Sequence, residues 1–284
     1  GPTVNGKAAT RTETTDGFAI RGSVGTGFKA MTPGQLNITS AQTRTVNGVF
    51  TLSGLFPATN PVSRFLGAQD IGPEKSTNFS VGFTATPLPG VSLTVDGYLI
   101  KLRHQIFSVS PIDVTPAIRA AMLAARVPGA DGISSVNFFQ NGFNSTVKGI
   151  DVVGSYRHRW SATDQTTLIG SLNVNGYKID KLLKPNLFNS TTVFNFEQAT
   201  PQWRGIVTAT HEHGPLSFMA RANLYGPYEA ELQATGFPRQ KFHPEAQIDI
   251  ELSYELAERY TFAIGARNVF DNYPQRDLLN TNKH

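Results

Sequence analysis

The sequence predicts an all-β protein, an antiparallel transmembrane β-barrel of about ten or eleven strands. Apolar and polar residues change places at every second position, the alternating segments run for about ten residues each, and short connections alternate with long ones. In the clearest segment, residues 247–256, one row reads Ile248, Ile250, Leu252, Tyr254 and Leu256, and the other Gln247, Asp249, Glu251, Ser253 and Glu255. A period of two points successive side chains to opposite faces, so this is a strand with one oily and one charged face. A sandwich hides such an oily face in its core, whereas a membrane barrel shows it to lipid. Length separates the two, because sandwich strands average about five or six residues and a tilted spanning strand needs about nine to eleven.

Taken in order, a weakly patterned strand at 4–14 turns through Thr15-Asp16-Gly17 into 18–28. Strands at 77–86 and 91–102 meet at Pro87-Leu88-Pro89-Gly90, and those at 146–158 and 166–178 at Ser161-Ala162-Thr163-Asp164. His213-Gly214-Pro215 joins 202–212 to 216–226, and Ala257-Glu258-Arg259 joins 246–257 to 260–270. Residues 133–142 supply one further candidate strand. The long connections are 30–76, 107–132, 179–201 and 227–245, and this short/long asymmetry is that of an outer-membrane barrel with short periplasmic turns and long outer loops. Within the second, Thr115 suits a helix N-cap, Pro116 the first helical position, and the alanine-rich run to Arg126 stops at Pro128-Gly129; Ile118, Met122 and Ala125 form its apolar face, which we expect to pack on neighbouring loops. Residues 46–56 are either an extra hairpin arm or irregular.

Composition is consistent with this. The 284 residues are 39% hydrophobic and 16% charged, against roughly 25% charged in soluble domains. No apolar run is long enough for a transmembrane helix, and barrel strands carry a far weaker hydropathy signal than helices do. The absence of cysteine excludes disulfides and thiolate chemistry. The formal charge of +4 is spread over strands and loops and forms no stripe, so nucleic acid is not an expected partner. No signal peptide opens the chain, and Gly1-Pro2 is read as the scar of a cleaved tag.

Four stretches resemble the barrel of TonB-dependent outer-membrane receptors: Arg21-Gly-Ser-Val-Gly-Thr-Gly-Phe28 with the following Lys29 to Asn37, then Pro73 to Phe83, then Val147-Lys-Gly-Ile-Asp-Val-Val153, and Gly265-Ala-Arg-Asn-Val-Phe-Asp-Asn-Tyr-Pro274. The last is the most specific, and together they span nearly the whole chain in the expected order. The resemblance implies the C-terminal part of a receptor barrel over residues 1–284, without the plug domain and its TonB-contacting box, and with about half of the family's roughly 22 strands. It also implies residence in the Gram-negative outer membrane. The implied partners are the lipid bilayer, the TonB complex acting through the missing plug, and a scarce small-molecule ligand such as a ferric siderophore. After Pro274 the family's closing strand with its terminal aromatic is not found.

In the first stretch Gly22, Val24, Thr26 and Phe28 are expected to face lipid, and Arg21, Ser23, Gly25 and Gly27 to face inward. The inward polar row comprises Arg21, Asp151, Arg221, Asp249, Glu251 and Arg267, with Lys29 and Lys148 near strand ends. Each such charge would cost about 2 to 4 kcal/mol in hydrocarbon, which assigns them to the lumen, where they hydrate it or pair with a plug. Ligand contacts are expected in the long loops, at Phe50, Phe56, Phe65, Asn186, Phe188 and Phe194, where aromatics and asparagines cluster. His211 and His213 share one strand face but lack a third ligand nearby, so no metal site is assigned. The glycines at 22, 25 and 27 have the wrong order for a phosphate loop, and no nucleophile elbow is present. No catalytic residue and no cofactor is assigned, and the chain is not expected to be an enzyme. A passive porin and, further off, an outer-membrane hydrolase are the alternatives.

Overall fold

In the computed structural model, which describes residues 4–46, 49–231, 238–257 and 259–276, the fold is all-β and mostly antiparallel. Ten strands form one open sheet in strict chain order: β1 (Lys7–Thr15), β2 (Phe18–Lys29), β3 (Glu74–Ala85), β4 (Val91–Ser108), β5 (Phe139–Arg159), β6 (Asp164–Leu182), β7 (Trp203–His213), β8 (Leu216–Tyr225), β9 (Glu245–Leu256) and β10 (Tyr260–Ala266). Each pairs antiparallel with the next, and β1 and β10 are the edges. The short connections all fall at one end of the sheet and the long ones at the other, as the sequence predicts. The turn residue Glu258 lies outside the described residues, as do parts of the 227–245 connection and of the tail after Pro274.

The strands exceed what a bilayer demands. The 21 residues of β5 and 19 of β6 extend to roughly 60–70 Å at about 3.3 Å per residue, against a hydrocarbon core of about 30 Å. The excess projects at the long-loop end and carries the core of the molecule. Phe56, Val62, Met122, Val136, Phe138, Phe143 and Phe188 are buried there in one cluster. Loop strands at Ser40–Val46, Val49–Leu55, Ile112–Asp113 and Ile133–Asn137 make a small second sheet over this cluster. The arm expected at 46–56 is thus the second strand of an antiparallel pair, Ser40–Val46 with Val49–Leu55; Asn47 and Gly48 lie outside the described residues.

Among the described residues, four α-helices and a 3-10 turn at Pro185–Leu187 complete the loops: α1 (Pro33–Asn37), α2 (Pro61–Phe65), α3 (Pro116–Ala124) and α4 (Ser190–Gln198). In α3 the Thr115 hydroxyl accepts the Ile118 amide at 3.3 Å, Pro116 occupies the first turn and Met122 is fully buried, while Ala125 is exposed. Arg119 then holds the chain beyond the helix by donating to the carbonyls of Ala130, Asp131 and Ile133 at 2.7, 2.6 and 2.8 Å.

Two strand expectations change. Residues 133–142 are not one strand: Ile133–Asn137 pairs parallel with Val49–Leu55 in the small sheet, Phe138 plugs into the loop core, and Phe139 begins β5. The last strand stops at Ala266, because Asn268 and Asp271 adopt left-handed backbone (φ 48° and 54°) and Asn268 bonds Asn272 through both its amide ends. Phe270 therefore leaves the apolar row for an exposed turn.

Candidate functional site

Direct partners across an antiparallel ladder share a face, so the register sorts every side chain of the large sheet. One row runs Arg21, Gly82, Asp96, Asp151, Asn173, Arg204, Tyr225, Glu245 across eight strands. The parallel row on the opposite face, one residue along, runs Ile20, Phe83, Val95, Val152, Leu172, Gly205, Leu224, Ala246. The polar face and the apolar face are therefore separate surfaces. Among the described residues nothing covers the apolar one: Ile264 is 75%, Val81 64% and Ile150 52% exposed, and none of those residues forms a second layer that would make this sheet half of a sandwich. The two tryptophans sit toward the two borders of the apolar band, Trp160 at a short turn and Trp203 at the start of β7, as interfacial anchors do.

On the polar face the Arg21 guanidinium reaches across β3 to pair with Asp96, its Nε donating to Oδ1 at 2.8 Å and its Nη2 to Oδ2. The bridge passes over Gly82, where a Cβ would lie 2.1 Å from Asp96 Oδ1 and 2.4 Å from the Val95 carbonyl oxygen. Only glycine leaves this path open. Asn173 donates to Asp151 at 2.6 Å and to the Tyr98 hydroxyl at 3.2 Å, and the Tyr98 ring in turn lies over Gly149, whose Cβ would meet that hydroxyl at 2.4 Å. Arg204 stacks over the Tyr225 ring at 4.9 Å and donates to its hydroxyl at 3.3 Å. A Gly82→Val change is therefore expected to cost about 1 to 3 kcal/mol through overpacking and loss of the Arg21–Asp96 bridge. Urea unfolding of the reconstituted protein measures it, and an Arg21→Ala, Gly82→Val double variant should cost clearly less than the two single changes summed.

Of the row expected from sequence, Arg21, Asp151, Arg221, Asp249 and Glu251 all carry polar-face register. Arg221 donates to Thr208 at 3.3 Å, and Asp249 accepts from Asn223 at 3.2 Å and from the Asn268 amide at 2.9 Å. Lys29 belongs to the same face and pairs with the buried Glu74 at 3.7 Å. Arg267 lies past the end of β10, in the turn. Lys148 is a correction: it opposes Leu99 and Gly176 and so stands on the apolar face. It stands two positions from Ile150 along the strand, which puts it at the border of the apolar band and not in the polar row. Asp96, Tyr98, Asn173 and Arg204 were missed, although alternation in Ser92-Leu-Thr-Val-Asp-Gly-Tyr98 gives the parity of the first two.

The six loop residues divide by burial. Phe56 and Phe188 are each 6% exposed and belong to the loop core, where Phe188 packs edge-on to Phe143 at 5.7 Å. Phe194 lies half-buried beneath Arg239, whose guanidinium carbon is 3.9 Å from the ring centre. Phe50, Phe65 and Asn186 are exposed. Arg239 also ties Phe194 to the buried Glu231, which accepts from Thr191 at 2.7 Å and from Arg239 at 3.3 Å and so joins the hairpin of Tyr228–Glu231 and Arg239–Phe242 to α4. His211 and His213 are on the apolar face at a short turn, both near Asp164. No group of three or more metal-ligating side chains occurs among the described residues.

Residues 4–269 match the family described as "TonB dependent receptor-like, beta-barrel". No curated protein matches the chain. Among solved structures, the chain resembles a variant of the ferric enterobactin receptor (PfeA) from Pseudomonas aeruginosa, with 15% identity and a TM-score of 0.60, covering 94% of this chain and 35% of that one. It resembles the copper transporter OprC with 14% identity and a TM-score of 0.60, covering 94% and 34%. It also resembles the siderophore receptor PirA from Acinetobacter baumannii, with 12% identity and a TM-score of 0.59, covering 94% and 37%. The chain thus spans about a third of the length of each of these structures, and the likeness is one of fold.

Proposed function

The chain belongs to the family of TonB-dependent receptor-like β-barrels, an outer-membrane family of receptors and transporters in Gram-negative bacteria, and on that premise we propose that it forms the C-terminal part of a barrel that imports a scarce nutrient such as a ferric siderophore. The carrying observation is the two-faced sheet: an uncovered apolar surface for lipid, backed by the polar row from Arg21 to Glu245 that would line the lumen. In this reading the short turns face the periplasm and the long loops the outside. The polar row hydrates the lumen or meets a plug domain, which in such receptors contacts the TonB complex. The chain supplies walls and loops for binding and passage, and no catalysis. The siderophore class is supported by two of the three neighbours named above; the copper transporter marks the other direction the family takes.

Ligand contact falls to Phe50, Phe65 and Asn186, the exposed members of the loop set, while Phe56 and Phe188 hold the loops together. Replacing those three together by alanine is expected to weaken ferric siderophore binding at least about tenfold, read by titration of the intact protein with ferric enterobactin and with copper ion in parallel. Unchanged binding overturns the loop assignment. Ion conductance in planar bilayers without binding of any ferric chelate overturns the receptor in favour of a passive porin.

A further inference from the structure

The register places five cations on the apolar face, at its long-loop border, and nothing above uses them. Lys75 directly opposes Arg103, Lys101 and Lys178 both oppose Thr146, and Lys148 stands between Leu99 and Gly176. All five are exposed. They lie on the four adjacent strands β3 to β6, a span of about 14 Å at the usual strand spacing. Trp203 opposes Val174, just inside the row that Lys148 occupies, so the cations begin where the oily band ends. That is the depth of lipid headgroups, where a lysine is tolerated.

Cations directly opposed on a sheet repel one another. Among the described residues, none of the five pairs with a carboxylate. Asp180, the acidic neighbour on this side, already accepts from the Thr146 hydroxyl at 2.6 Å. Water does not explain why unpaired cations gather on this face, since a solvated rim tolerates either sign, and Lys29 at the same end of the polar face is paired with Glu74. An anion held against the barrel wall does explain it. We propose that Lys75, Lys101, Arg103, Lys148 and Lys178 form a docking surface for the phosphate groups of an anionic lipid in the leaflet on the long-loop side. The proposal rests on the lipid-facing assignment of this face.

The test titrates the intact protein in detergent micelles with diphosphorylated lipid A, phosphatidylcholine and inorganic phosphate, with bound lipid counted by native mass spectrometry. The wild-type protein should retain lipid A in preference to phosphatidylcholine. K101Q/R103Q/K148Q should lose about a hundredfold in lipid A affinity, while K101R/K148R keeps it. Equal retention of the two lipids by the wild-type protein, unchanged affinity in the glutamine variant, or displacement of the lipid by millimolar inorganic phosphate each overturns the proposal. The wild-type comparison decides the matter even if a variant fails to insert. Quenching of Trp203 by brominated lipid separates the two possible failures: quenching without headgroup preference sinks only the docking surface, and its absence sinks the lipid-facing assignment as well.

Discussion

Phe143→Ala is expected to cost about 3 to 5 kcal/mol and to loosen the long-loop end as a unit, as emptying a fully buried aromatic position does. Phe143 has no exposure and is met by three rings, Phe107 at 5.6 Å, Phe188 at 5.7 Å and Phe196 at 4.7 Å. Those partners come from β4, the segment after the 185–187 turn, and α4, so one side chain joins the sheet to two loop elements. Gly142 beside it is equally constrained, for a Cβ there would lie 2.2 Å from the Phe188 ring. Limited proteolysis is the sensitive measurement. The 183–202 connection should be cut many times faster in the variant while the ten-strand sheet stays protected. Equal protection of the loops in both proteins would show that the aromatic cluster does not hold them.

The second large effect separates the two faces of one strand. Val152 opposes Val95 and Leu172 on the apolar face, and the adjacent Val153 opposes Thr94 and Ser171 on the polar face. Val152→Arg is expected to cost about 2 to 4 kcal/mol in phospholipid vesicles, the cost of a guanidinium near the bilayer midplane. Val153→Arg, 46% exposed on the other side, should stay within about 0.5 kcal/mol. Unfolding by guanidinium in vesicles, followed by tryptophan emission, gives both values. Equal costs would remove the basis for assigning lipid to the apolar face.

Alternation at a period of two was legible because each strand is oily on one side only, and this is why β2, β7 and β8 lie close to their expected places. The periodic signal says nothing about where a strand leaves the membrane, so the extensions of β4, β5 and β6 beyond it were invisible. Their outer halves carry Phe107, Phe143 and Ile179 against the loops, in runs that read as irregular. Residues 133–142 read as one strand because Ile133, Val136 and Phe138 are apolar for different reasons, the first two in a small parallel pairing and the last as a loop plug. Strand β10 ends early through the left-handed Asn268, which the alternation Phe262, Ile264, Ala266 does not announce.

In the site, a charge on a strand was assigned inward because hydrocarbon excludes it. Arg21 and Asp249 carry the register of the polar face, whereas Lys148 carries that of the apolar face, at the border of the oily band. The Arg21–Asp96 bridge joins residues 75 positions apart, and such a partnership depends on register that no local pattern contains. Phe56 and Phe188 look like their exposed counterparts in sequence, since an aromatic in a long loop reads the same whether it meets solvent or a core.

The two border strands leave a further requirement. Along β1 and β10 every second amide and carbonyl points away from the sheet, with no ladder beyond among the described residues. In water such groups bond to solvent, but in oil each orphan costs several kcal/mol. A raft of ten strands with bare hems is thus barred from the bilayer until both seams are sewn, to each other or to further strands. Insertion and closure become one event, and the membrane itself rejects any assembly left half stitched.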